Sequence, residues 1–129
     1  PKAFGPTLPP MAAALEGIEG IPKTSFGCFG EPLFAEAVQN AACKTLVLVG
    51  SETHICIEQT ALQALDRGIA AVVVADAVTA RKRPDHDVAL DRLRQAGVTV
   101  TTWEALVYEW MGGAKHPAFK DVLGLVKGA

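Results

Sequence analysis

One cysteine occupies a position where the fold could make it nucleophilic. Cys56 opens a segment with the apolar spacing of a helix. Thr53 is predicted to cap that helix, because its hydroxyl can accept from an amide two or three residues later. Cys56 would then lie near the third helical position, where unpaired amides and the positive end of the helix dipole favour the nucleophilic thiolate. An alternative reading of the same pattern is a small buried cysteine without chemistry.

A strand and a tight turn must place this cysteine. Thr45–Val49 is a short apolar run rich in β-branched residues and closed by Gly50, which is typical of a central parallel strand. The helix that follows carries its apolar residues on one face, beginning at Ile57, and is predicted to stop at Gly68. The whole segment therefore reads as a strand, a turn and an amphipathic helix.

Two further apolar strands alternate with helices. They are predicted at Ala70–Ala75, ending at Asp76, and at Val98–Thr101. Such strands, apolar on both faces, indicate an α/β fold whose parallel sheet is covered by helices on both sides.

Capping residues mark the starts of two later helices. Asp85 is predicted to cap the helix that precedes the third strand. Thr101 and Glu104 have the spacing of a capping box, which would open a helix over Trp103–Met111.

Composition limits the classes of function. The formal net charge is −2 with both signs interspersed, which does not favour nucleic acid or a membrane surface as a partner. The sequence has no signal peptide pattern and no apolar run near the ~20 residues that span a bilayer. The three cysteines match no zinc or disulfide spacing, so we expect a reducing compartment, the cytoplasm by default, and no metal.

The 129 residues fit one domain with an irregular beginning. Residues 1–22 contain five prolines and are predicted to form a loop-like lead-in, with at most a helical turn at Met11–Leu15. A lead-in of this length indicates either a function of its own or a missing structural context.

Several separate motifs resemble the isochorismatase-like cysteine hydrolases, and the resemblance extends over nearly the whole chain from Gly5 to Lys127. Its last segment resembles the isochorismatase-domain-containing branch of the family. The matching segments are KTSF at 23–26, GSETHICIEQTA at 50–61, VVADA at 73–77, GVTVTTWE at 97–104 and KHPAFK at 115–120.

The resemblance implies a fold and a set of site residues. The fold is a Rossmann-like three-layer αβα domain with a mostly parallel sheet. Two members of the family's Asp-Lys-Cys group carry over, Lys23 as the lysine and Cys56 as the nucleophile. The family's oxyanion hole maps to the backbone amides of Glu52 and Cys56, and its cis peptide bond to Ser51–Glu52.

The sequence departs from the family at its beginning. The family's catalytic aspartate ends a first strand that precedes the lysine, and residues 1–22 contain no such strand. The domain is therefore expected to be incomplete at its N-terminus. In the family that strand lies beside the one matching Thr45–Val49, so the free edge of Thr45–Val49 should be covered by an upstream segment, a second chain or a symmetry mate.

An intact protein of this kind would be a hydrolase that uses a cysteine nucleophile on a small amide-type or related substrate. Lacking the aspartate, this chain alone should be nearly inert, because a positioned acid or base contributes ~10²–10⁴-fold in rate. The alternative is a non-catalytic binding or oligomerisation module that kept the fold. We expect a homo-oligomer, or association with the missing N-terminal segment, and no cofactor. Nicotinamidase relatives use zinc, but its His and Asp ligands come from the family's N-terminal part.

Other polar residues have a structural reading beside a chemical one. His54 could be a ligand or proton carrier, or a packed turn histidine. Cys28 could be a resolving thiol or line the pocket, whereas Cys43 is predicted to belong to the core. Asp76 is predicted to accept hydrogen bonds from backbone near its strand end. The basic residues 81–83 form either a solvated loop or an oligomer contact.

Overall fold

The sheet contains three parallel strands. A computed structural model describes residues 6–128. Its strands are β1 (Thr45–Ser51), β2 (Ala70–Thr79) and β3 (Thr99–Thr101), in the order β1-β2-β3. With its helices the sheet forms a three-layer α/β domain, so the predicted fold class is confirmed.

Within residues 6–128 the chain also forms six helices and two short helical turns. A 3-10 turn at Cys28–Gly30 precedes the second helix, and a π-helical turn at Thr53–Ile57 runs directly into the third. None of the helices within the described residues is long and apolar enough to cross a membrane. The helices are α1 (Pro9–Ala14), α2 (Pro32–Asn40), α3 (Glu58–Leu65), α4 (Arg83–Gln95), α5 (Trp103–Met111) and α6 (Phe119–Gly128).

The core lies where α3 and α4 meet β2. Val73 of β2, Ala61 of α3 and Leu93 of α4 are completely buried. Arg92 of α4 also forms an ion pair with the buried carboxylate of Glu58 on α3. These contacts fix the helix that follows Cys56 against the centre of the sheet.

β2 is longer than the sequence predicted. The register runs evenly from Thr45↔Ala70 to Leu48↔Val73, and then shifts so that Gly50 is opposite Val78. This irregularity lets the strand continue past Asp76, where the sequence predicted its end. Asp76 Oδ1 accepts from the backbone N–H of Trp103 (2.9 Å), which agrees with the predicted backbone-bonding role.

The three predicted helix caps are wrong in detail. Thr53 does not cap; its hydroxyl lies 3.0 Å from Nδ1 of His86, and both side chains are buried. Lys82 occupies the N-cap position of α4 without a capping side-chain hydrogen bond, and Asp85 lies inside the first turn. α5 is capped by Thr102, whose hydroxyl accepts from the N–H of Ala105, in place of Thr101. In each case a tertiary contact or a shift of one or a few residues outweighed the local pattern.

β1 lies at an edge of the sheet. Within residues 6–128 only β2 pairs with it, and the sole regular element before residue 23 is the short helix α1. Val47 and Val49 of β1 are 38% and 55% exposed. The predicted edge position of Thr45–Val49 is thus confirmed for the described part of the chain.

Candidate functional site

Cys56 lies in the π-helical turn that joins β1 to α3. It is half-buried, with one turn of chain between it and the carboxyl end of β1. The sequence placed it in the first turn of an α-helix, and the structure replaces that turn with the wider π turn before α3 begins at Glu58. The side chain remains at the junction of strand and helix.

Lys23 reaches Cys56 from a distant part of the chain. Its ammonium nitrogen Nζ lies 3.4 Å from Cys56 Sγ, within hydrogen-bonding distance for sulfur. The same ammonium donates to the carbonyl oxygens of Ser25 (2.9 Å) and Phe26 (3.1 Å). A lysine ammonium carries three protons, so these three acceptors use all of them. The ammonium is therefore held beside the Cys56 sulfur by two backbone carbonyls.

The loop that carries Lys23 is anchored by Glu31. Glu31 Oε1 accepts from the backbone N–H groups of Thr24 (2.7 Å) and Ser25 (2.9 Å), and the Ser25 hydroxyl lies at 2.9 Å. These hydrogen bonds, led by the Ser25 and Thr24 amides, lower the pKa of Glu31 from 4.5 to about 2. Glu31 is therefore ionised throughout the ordinary pH range.

A second anchor joins the same loop to the cysteine turn. Thr60 is 1% exposed; its hydroxyl donates to the carbonyl of Cys56 (2.6 Å) and accepts from the N–H of Cys28 (3.0 Å). Gln63, one helical turn later, accepts from the N–H of Phe29 (3.2 Å). α3 thus fixes both Cys56 and the 3-10 turn that follows the lysine loop.

We expect Thr60→Val to destabilise the protein by about 1–3 kcal/mol. Valine has nearly the same shape, but it leaves the N–H of Cys28 and the carbonyl of Cys56 without their shared partner. Urea unfolding of the variant, compared with Thr60→Ser as a control that keeps the hydroxyl, measures the loss. Equal midpoints for Thr60→Val and the unmutated chain would contradict the role of this bond.

The pKa of Glu31 gives a pH dependence with a definite sign. Because the folded-state pKa is depressed, the stabilisation by this carboxylate is present above about pH 4.5 and is lost as the pH falls through about 2. Glu31→Gln should therefore be less stable than the unmutated chain at pH 7, and the difference should vanish near pH 2. Unfolding midpoints measured from pH 7 downward test this, and a constant difference at all pH values would refute it.

The turn before Cys56 has an unusual backbone. The Ser51–Glu52 peptide bond is cis, at the bond that the resemblance implies. The Glu52 carbonyl accepts from the N–H groups of Ile55 and Ile57 (both 3.2 Å). The Glu52 carboxylate accepts from the N–H of Arg81 (3.0 Å) and lies 3.3 Å from its guanidinium. The two amides expected to form an oxyanion hole therefore belong to one turn: that of Glu52 just before it and that of Cys56 within it. Arg81, in the loop after β2, supports this turn through its contacts with Glu52.

His54 lies between two carboxylates at long range. Its Nδ1 is 3.9 Å from Glu52 and its Nε2 is 3.8 Å from Asp85. The Nδ1 atom is buried and makes no hydrogen bond within the described residues. His54 is thus packed in the turn within 4 Å of two carboxylates, without a hydrogen bond to its Nδ1.

The hydrogen bonds of the other two cysteines involve backbone groups. Cys43 packs against the core, as predicted, and its thiol donates to the carbonyl of Thr45 (3.0 Å). Cys28 is half-buried and its amide is bound by Thr60. All three cysteines are free thiols.

An open space lies between β2 and α4. A cavity of about 580 Å³ is lined by residues of β2 and α4, among them Asp76, Arg83 and His86, but not by Lys23 or Cys56. Among residues 6–128, no three His, Cys, Asp or Glu side chains are grouped so that they could hold a metal ion.

Sequence reasoning missed Glu31 and Thr60. Glu31 precedes Pro32, a common first helical residue, which makes it look like an ordinary helix start. Its carboxylate makes no capping bond to α2 and turns to the lysine loop instead. The available signal was a carboxylate close to the Lys23 motif. Its main partners are backbone N–H groups, however, and since every residue except proline has one, the sequence does not show which of them the carboxylate binds.

A protein-family match and individual relatives connect this chain to known proteins. The Isochorismatase domain family matches residues 2–105. The bovine isochorismatase domain-containing protein 2 is 41% identical over 127 residues, which are 98% of this chain and 61% of that protein. The chain thus spans about 60% of the length of such curated relatives.

Solved structures share the fold. The MAR1 ribonuclease from Caenorhabditis elegans is 36% identical with a TM-score of 0.85, covering 98% of this chain and 65% of that one. The Escherichia coli YcaC gene product, an octameric hydrolase of unknown specificity, is 25% identical with a TM-score of 0.79, covering 96% and 66%. The family match extends over most of the sequence, so this chain belongs to the isochorismatase domain family.

Proposed function

We propose that this chain carries the lysine and cysteine of a hydrolase active site that cleaves a small amide-type or related substrate. The observation that carries the proposal is the 3.4 Å separation of Lys23 Nζ from Cys56 Sγ, with the ammonium fixed by two carbonyls. YcaC, a hydrolase by its description, supports the reaction class.

The proposed reaction has two steps. The Cys56 thiolate attacks the substrate carbonyl carbon, forming a C–S bond, and the amides of Glu52 and Cys56 stabilise the oxyanion. The bond to the leaving group breaks, the departing amine takes up a proton, and a thioester remains. Water then attacks the thioester and releases the carboxylic acid, its proton returns to the group that protonated the amine, and the thiolate is regenerated. The ammonium of Lys23 lies 3.4 Å from that sulfur throughout the cycle.

The proton must be carried by a further group. The family pattern assigns this role to an aspartate, and relatives such as the bovine protein are longer than this chain. We therefore propose that the domain is incomplete at its N-terminus and that a segment outside the 129 residues brings the aspartate to Cys56. Without it, hydrolysis of an unactivated amide should be slower by about 10²–10⁴-fold.

The assembly and compartment belong to the same proposal. The octameric state of YcaC supports a homo-oligomer. The three free thiols fit a reducing compartment such as the cytoplasm.

Limited iodoacetamide treatment followed by peptide mapping tests the nucleophile. Cys56 should be labelled first at neutral pH, before Cys28 and Cys43, because among residues 6–128 it is the cysteine whose sulfur has a lysine ammonium within hydrogen-bonding distance. Earlier labelling of Cys28 or Cys43 would overturn the assignment. It would favour the alternative of a non-catalytic binding module.

A nucleolytic function is the second candidate, since the C. elegans neighbour is described as a ribonuclease. The formal net charge of −2 does not favour binding to a phosphate backbone, which relies on clustered Lys and Arg. Incubation with single-stranded RNA, with Cys56→Ser as the control, separates the two: the hydrolase proposal predicts no cleavage that depends on Cys56.

A further inference from the structure

We propose that Glu31 is a positioning residue that holds Lys23 against the nucleophile. This inference rests on the proposed function, because it assigns Glu31 a role in the lysine–cysteine pair. The amides of Thr24 and Ser25 both donate to Glu31 Oε1, and the hydroxyl of Thr24 lies 3.4 Å from the same atom. The single proton of the Ser25 hydroxyl is shared between Glu31 Oε1 and the carbonyl of Gly27, both at 2.9 Å. The carboxylate thus fixes the peptide plane between these two residues.

That peptide is connected directly to the lysine. Ser25 gives its N–H to Glu31 and offers its carbonyl to Lys23 Nζ (2.9 Å). The next carbonyl, that of Phe26, accepts the second proton at 3.1 Å, which leaves the third for Cys56 Sγ. A continuous path of hydrogen bonds therefore leads from Glu31 through Ser25 and Lys23 to the sulfur.

The charge of Glu31 makes this path stiff. Hydrogen bonds from amides to an ionised carboxylate are about twice as strong as neutral ones. Lysine is otherwise a flexible side chain on a four-carbon stem, which orients poorly by itself. Lys23 lies in an exposed loop before the 3-10 turn, so an external anchor is what keeps its ammonium at one position.

Gly30 gives independent support for the contact between Glu31 and the lysine loop. A Cβ at Gly30 would lie 2.6 Å from Ser25 Cβ and 2.7 Å from its Oγ. A side chain there would displace Ser25 from the Glu31 carboxylate. The absence of a side chain at Gly30 is therefore what permits the close approach of the lysine loop to Glu31.

The test compares the pH–rate profile of Cys56 alkylation by iodoacetamide among variants of this chain. Glu31→Ala and the milder Glu31→Gln should slow alkylation at pH 7, the former about tenfold, and move its onset to higher pH. Gly30→Ala should act in the same direction. Glu36→Gln, on α2, is the matched control and should leave the profile unchanged, because Glu36 is exposed and its side chain makes no hydrogen bond or ion pair with any residue from 6 to 128. Circular dichroism establishes which variants are folded.

The double variant separates positioning from general loosening. If Glu31 acts through Lys23, Glu31→Gln should slow alkylation no further once Lys23→Met is present. An equal additional slowing in the Lys23→Met background would overturn the inference. So would an unchanged profile in folded Glu31→Gln and Gly30→Ala while Lys23→Met is slow, and in that case the proposed function would stand. If Lys23→Met itself reacts like the unmutated chain, the proposed function fails instead.

Discussion

p-Nitrophenyl acetate is expected to acetylate Cys56, with release of about one p-nitrophenolate per chain in a burst. This ester needs no protonated leaving group, so the reaction depends on the thiolate and on the oxyanion-binding amides, and not on the aspartate that the family pattern requires. Cys56→Ser should remove the burst, because a serine hydroxyl beside a lysine lacks the ready ionisation of a thiol.

Lys23→Met should slow the same burst by about tenfold or more. Opposite charges about 4 Å apart interact by ~1 kcal/mol in water and ~4 kcal/mol near a protein surface, and each 1.4 kcal/mol corresponds to a factor of ten. Lys44→Met is the control, since Lys44 precedes β1 and its ammonium makes no hydrogen bond to the sulfur of Cys56. A burst that persists in Cys56→Ser, or equal rates in Lys23→Met and Lys44→Met, would contradict the assigned roles.

The 129-residue chain is expected to self-associate in solution through β1. An unpaired edge strand presents free N–H and C=O groups to any second strand, and two exposed valines, Val47 and Val49, add apolar area beside it. Lysines at both positions should weaken the association at least tenfold, since burying each valine contributes ~1.5–3 kcal/mol and charges deter strand addition.

Sedimentation velocity over a range of concentrations measures this association. Val88→Lys is the matched control, because Val88 is 68% exposed on α4, away from the sheet edge. It should leave the association unchanged. A chain that stays monomeric at high concentration, or lysine variants that associate as strongly as the unmutated chain, would show that the edge of β1 does not mediate self-association.

Much of the fold could be predicted because its signals are local. The apolar runs identified β1 and β2 to within a few residues, and Gly68 follows the end of α3 as predicted, whereas Gly50 lies inside β1, which ends at Ser51. Both glycines have positive φ, 109° and 70°, a conformation that residues with a side chain rarely adopt. Predictions of this kind depend on neighbours in sequence, which the pattern records directly.

The predictions that failed depended on distant partners. Thr53 looked like a helix cap, but the buried His86 on α4 takes its hydroxyl. β2 was expected to end at Asp76, but pairing with Gly50 and Ser51 of β1 extends it to Thr79. A helix-capping preference is worth about 1 kcal/mol, and the buried hydrogen bond of Thr53 outweighs it. At Asp76 the pairing with β1 likewise outweighs the local tendency of the strand to end.

The sequence by itself determined the α/β class, the position of Cys56 between strand and helix, and, through family resemblance, the pairing of Cys56 with Lys23. Only the tertiary structure decided how that pair is held. Glu31 and Thr60 act through backbone amides and carbonyls, which every residue possesses, so no pattern of side chains reveals them. Their roles exist only once the chain has folded and brought those backbone groups within hydrogen-bonding distance, across as many as 32 residues of sequence.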